Sequence, residues 1–84
     1  MTTGFIGAMA NSGTLAYTAP VDAKLMITAS AYGGNGALSI NGVATVYCTP
    51  GTNIAFSHFI GAGQTVVISV ATYVCCSVSV LEGS

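Results

Sequence analysis

Apolar and polar residues alternate along this chain in short runs, and turn-forming residues interrupt them every 8–12 positions or so, about the spacing of an antiparallel sandwich or barrel. Lys24–Ser30 shows the pattern most cleanly. Leu25, Ile27 and Ala29 fall on one side of an extended chain, and Lys24, Met26, Thr28 and Ser30 on the other. Before it, Thr14–Thr18 reads as a strand closed by the turn Ala19-Pro20-Val21-Asp22. After it, Gly33-Gly34-Asn35-Gly36 breaks the chain, and Ala37–Ile40, Asn41-Gly42 and Val43–Tyr47 follow as strand, turn and strand. An Asn-Gly pair between two β-rich runs supplies the two positive φ angles of a type I′ turn, so this segment predicts a hairpin.

Thr49-Pro50-Gly51-Thr52 is a further turn and Asn53–Ile60 a fifth strand. Gly61-Ala62-Gly63-Gln64 then leads into a sixth, Thr65–Ala71, and Cys75–Glu82 closes the chain with Cys76, Val78 and Val80 on one face. Seven short strands and no credible helix predict an all-β fold, a single small β-sandwich or jelly-roll-like domain. Its core is expected from Leu15, Leu25, Ile27, Leu38, Ile40, Val66, Ile68, Val70, Val78 and Val80. The opposite faces carry Thr, Ser, Ala and Met where a soluble sandwich carries Lys and Glu.

Residues 1–12 precede the first convincing strand and are set apart from the sandwich, 13–84, as an N-terminal arm. Gly4, Gly7 and Ala8 give the arm little intrinsic structure, and Asn11-Ser12-Gly13 reads as a loop. Phe5, Ile6 and Met9 are too apolar for a solvated tail, so they are expected to dock on a partner. The competing expectation is an eighth strand within the sandwich. The opening residues lack the positive n-region of a secretory signal, and none is expected.

Composition sharpens the picture. A chain of 84 residues forms one domain and buries only about 60% of its unfolded surface, near the lower limit for folding alone. Charged residues make up 4% of the chain (Asp22, Lys24 and Glu82), against about 25% in ordinary globular domains. Such a surface makes a poor colloid as a free monomer, and edge strands without charges or prolines invite pairing, so a homo-oligomer is expected. Apolar residues at 52% exclude disorder. The mean hydropathy of +0.78 raises the question of a membrane span. The best candidate, Val66–Leu81, is interrupted by Ser69, Thr72, Ser77 and Ser79 and falls short of the ~20 residues a helix needs. No membrane association is expected. With a single basic residue the chain has almost nothing to neutralise phosphates, which excludes nucleic acid as a partner.

No catalytic constellation is visible, so no enzyme is expected. The single Asp and Glu are the only carboxylate pair on offer, and no nucleophile elbow accompanies His58. Cys48, Cys75 and Cys76 with His58 lack the paired spacing of a zinc site, and adjacent cysteines on a strand point to opposite faces. They are read as free thiols in packing roles, with Cys76 facing the core, and no metal or cofactor is expected. His58 shares its strand face with Ile54, Phe56 and Ile60. It reads as a hydrogen-bonded core or edge histidine, as one flipped outward by a bulge, or as a polar ring at a subunit seam. Tyr17, Tyr32, Tyr47 and Tyr73 read as margin residues with wet hydroxyls rather than a sugar-stacking platform.

Four segments carry a resemblance. Tyr17-Thr18-Ala19-Pro20, Ser39-Ile40-Asn41-Gly42-Val43, Gly61-Ala62-Gly63-Gln64-Thr65-Val66 and Val78-Ser79-Val80-Leu81-Glu82 together resemble, in order and spacing, small β-sandwich domains of bacteriophage virions. The resemblance spans roughly residues 13–82 and is architectural, so it transfers no catalytic or binding residue. It implies a virion protein assembled in the host cytoplasm. With no shaft, heptads or collagen-like repeat in the sequence, the expected form is a trimeric capsid decoration (cement) protein seated on the major capsid protein. A tail-fibre or fibre-tip domain that binds a host receptor or glycan is the alternative. Phe5, Ile6, Met9 and His58 are the expected interface residues.

Overall fold

A computed structural model describes residues 2–82. Met1 of the expected arm, and Gly83 and Ser84 of the expected domain, lie outside the described residues. Eight strands follow one another: β1 (Thr2–Ala10), β2 (Thr14–Thr18), β3 (Ala23–Ala31), β4 (Gly36–Ile40), β5 (Val43–Cys48), β6 (Asn53–Ile60), β7 (Thr65–Val70) and β8 (Val74–Glu82). They form two four-stranded antiparallel sheets. Sheet I runs β1-β8-β3-β6 and sheet II runs β2-β7-β4-β5.

The pairs β1·β8, β2·β7, β3·β6 and β4·β5 are nested, as if one long hairpin had been rolled up. That order, with alternate pairs assigned to alternate sheets, is a jelly roll. The centre of the nest is the Asn41-Gly42 turn, where φ is 53° and 81°, as a type I′ hairpin requires. The Asn41 amide also extends sheet II beyond the turn: its N–H donates to Val67 O at 2.8 Å, and its Oδ1 accepts from Val67 N at 2.9 Å.

Period-two burial is strict on the central strands. In β3 and β8 the inward residues are buried from Ala23 to Ala31 and from Val74 to Val80, and those between them are half-buried or exposed. Leu25, Ile27, Leu38, Val66, Ile68, Val74 and Val78 are fully covered. Each contributes roughly 1.5–3 kcal/mol relative to exposure. Leu15, expected in the core, is only half-buried because β2 is an edge strand of five residues. Cys48 and Val74 join the core from positions beside turns, where alternation gives no warning.

The segment expected as an arm is instead a strand. β1 pairs with β8 from Thr2↔Glu82 to Ala10↔Cys75, so the fold has eight strands rather than about seven. Its periodicity is hidden by a bulge: the register shifts between Phe5 and Gly7, leaving Ile6 unpaired. Gly7 leaves room there for Leu15 of β2, whose Cδ1 would lie 2.5 Å from a Cβ at that position and would have to move aside. Ile6 and Met9 pack against the core, which makes β1 a structural part of the sandwich.

Candidate interaction surfaces

The register of sheet I aligns its outward side chains in rows across the strands. Leu81, Lys24 and Phe59 form one row. Phe5, Ser79, Met26 and Ser57 form the next, then Ala8, Ser77, Thr28 and Ala55, then Ala10, Cys75, Ser30 and Asn53. A single charge, Lys24, lies among these fifteen positions. Phe59 is 76% exposed and Phe5 69%, on opposite edge strands at the same end of the face. At the other end the small residues of the last two rows floor a hollow of about 500 Å³.

The outward face of sheet II carries no charge at all. Thr14, Ser69, Ser39 and Ala44 form one row, Thr18 pairs with Thr65, and Ala37 with the 63%-exposed Tyr47. Thr18 and Thr65 hydroxyls are hydrogen-bonded across the strands at 2.7 Å. Hydroxyls make this face compatible with water without any ionic group.

Two bare ends complete the surface. One gathers all three charged residues: Asp22, Lys24 and Glu82 line a depression of about 560 Å³ with Phe59, Ile60 and Leu81. Both carboxylates are in structural use. Asp22 Oδ1 accepts from Ala62 N at 2.9 Å, and Glu82 Oε2 accepts from the Tyr17 hydroxyl at 3.3 Å, joining the sheets at their rim. Burial first, then the neighbouring Glu82 charge and this hydrogen bond, raise the Tyr17 phenol above its ordinary pKa.

The opposite end is uncharged and built from loops. Tyr32 and Tyr73 meet edge to face, 6.2 Å between ring centres, and the Tyr32 hydroxyl donates to Asn11 Oδ1. Asn11, Ser12 and Tyr73 all hold positive φ, at 55°, 68° and 70°. For tyrosine that conformation is strained, and the cluster of tertiary hydrogen bonds around it holds it in place.

The four expected interface residues separate. Phe5 lies on the outer face of sheet I, while Ile6 and Met9 turn inward against the core. His58 sits on β6, the far edge, half-buried on the inward side beside Leu25, and lines a depression of about 290 Å³ with Asn41, Gln64 and Val66. His58 and Asp22 line different depressions. Phe59, Leu81 and Met26 were not singled out from the sequence, although strand parity alone puts Phe59 and Met26 opposite core residues.

Among the described residues no group of three His, Cys, Asp or Glu side chains is placed to hold a metal ion. All three thiols are unbridged; Cys48 and Cys76 are buried and Cys75 half-buried, 3.1 Å from Ser30 Oγ. Burial, followed by the neighbouring thiols, pushes the Cys76 pKa up to about 11, and burial raises that of Cys48. No described helix is long and apolar enough to cross a membrane.

Comparison with protein-family models, with characterised proteins and with solved structures returns no match.

Proposed function

We propose that this chain is a structural subunit of a bacteriophage particle, a non-enzymatic decoration protein whose copies associate with one another and seat on the major capsid protein. A trimer is the form its resemblance favours. The observation that carries this reading is the surface: inner faces already filled by a complete core, and two outer faces with one charge between them. A jelly roll with such faces lowers its free energy by covering them, and a partner that binds only the assembled state stabilises that state by mass action. The β6 edge supports the same reading. It runs eight residues without proline, charge or bulge, so its outward N–H and C=O groups are open to another strand. Jelly rolls recur in viral capsid proteins and in lectins, an analogy of architecture alone.

Quantitative mass spectrometry of particles purified from the encoding virus tests the proposal. The expected result is a copy number in proportion to the shell subunits, and absence from the particle would overturn it. The second reading, a fibre-tip module, is favoured by the uncharged loop end, where Tyr32 packs on Tyr73 and both Tyr73 and Asn11 hold positive φ. A copy number matching the tail would select it.

A further inference from the structure

The outer face of sheet I is shaped to receive itself. Its two aromatic knobs, Phe5 and Phe59, stand at one end, and its hollow lies at the other. Two copies laid face to face, with strands running in opposite senses, are related by a twofold axis that lies between them, perpendicular to the strands. Placed between the Met26 row and the Thr28 row, that axis sets each row against its opposite. Phe5 of one copy then meets Ala8 of the other, and Phe59 meets Asn53 at the rim of the hollow. The large side chains are matched with small ones in both copies at once, the self-complementarity that an isologous contact requires.

The alternatives on the same molecule carry less. The outer face of sheet II has an exposed aromatic, Tyr47, but none of the described hollows lies on it to receive that ring. The charged end already uses both carboxylates internally. The tyrosine loop end presents no cavity among those described.

We infer that the outer face of sheet I is a twofold interface between copies of this chain. The inference rests on the assembly reading above and names the surface used. Four strands about 4.8 Å apart and eight or nine residues long give a face of roughly 550 Å², so two copies bury roughly 1,100–1,500 Å² once side-chain relief is counted, the low end of stable interfaces. Sheet-on-sheet packing of this kind fills a layer about 10 Å thick with interdigitated side chains. The contact is independent of a ring built through the β6 edge, and it doubles whatever ring that edge forms.

The test is native mass spectrometry of the full chain with a lysine placed on either face. Thr28→Lys sets an ammonium beside the axis, against the opposing Met26, and is expected to halve the wild-type mass. Ser39→Lys on the outer face of sheet II is expected to leave the mass unchanged. If Thr28→Lys does not fold, Phe59→Ser replaces it, since that side chain is mostly exposed and its loss leaves the core intact. It is expected to weaken self-association at least tenfold. An oligomeric wild type whose mass neither substitution on sheet I changes would overturn the inference while leaving the assembly reading standing. A wild type that stays monomeric would overturn both.

Discussion

The outer faces of the two sheets are alike in carrying almost no charge, Lys24 alone on sheet I and none on sheet II, and differ in their relief. Both carry threonine and serine hydroxyls hydrogen-bonded across strands, Thr18 with Thr65 on sheet II and Thr28 with Ser77 on sheet I. Sheet I exposes Phe5 and Phe59 at one end, keeps Met26 and Leu81 half-buried beside them, and has a hollow of small residues at the other end. Low charge by itself therefore does not mark an interface. What distinguishes sheet I is the opposition of two aromatic knobs and a hollow, and the difference comes from a few positions rather than from composition as a whole.

The harshest way to break the comparison is to remove one edge of sheet I. Deleting residues 2–10 strips a nine-residue strand from β8 and uncovers core on which Ile6 and Met9 pack. Loss of two partly buried apolar side chains and a full ladder costs on the order of 4 kcal/mol. The melting temperature should fall by many degrees, or the chain should fail to fold. A truncated protein that melts like the intact one would show that β1 is dispensable, and the placement of Phe5 with it.

A milder test removes only the knobs. Phe5→Ser with Phe59→Ser should weaken self-association by about a hundredfold, or about 2.7 kcal/mol, while leaving the melt of the dissociated chain within about 0.5 kcal/mol. Tyr47→Ser on sheet II should change neither. Sedimentation velocity over a dilution series separates these outcomes.

Alkaline pH probes the alternation of one strand. Cys76 faces inward on β8 and Cys75 outward. Because burial raises the Cys76 pKa to about 11 from an ordinary 9.0, the folded chain holds that proton more tightly than the unfolded one. The resulting stability is intact below about pH 9 and is lost as pH rises toward about 11, on the order of 2 kcal/mol in all. Denaturant midpoints measured from pH 8 to 11 should decline, and Cys76→Ala should flatten that decline. In native protein near pH 8, Cys75 should react first with a thiol reagent, with Cys48 and Cys76 following only on unfolding.

The smallest expected effect is on sheet II. Thr18→Val loses an exposed cross-strand hydroxyl pair and should cost no more than about 1 kcal/mol, without altering the mass of the assembly.

Much of this architecture was legible in the sequence because period two is a strong signal where one face is buried. β2 and β6 fall on the expected residues, and the Asn41-Gly42 hairpin has the expected backbone. β1 was read as an arm because Gly4 and Gly7 dilute its alternation and the bulge at Ile6 shifts its phase by one residue. The positive φ of Tyr73 was not legible either, since it depends on contacts that Asn11 and Tyr32 make from distant turns. The candidate interface was half legible. Parity turns Phe59 and Met26 outward, but the opposition of knobs and hollow exists only once the β1–β8 and β3–β6 registers are known.

The central claim is that this surface is built to be covered by another copy. Sedimentation equilibrium of the wild-type chain from nanomolar to high micromolar concentration tests it most directly. The account predicts a reversible rise from the 8.3 kDa protomer to an even-numbered assembly, complete by the micromolar range. A mass that stays at the protomer value across the whole series would contradict it.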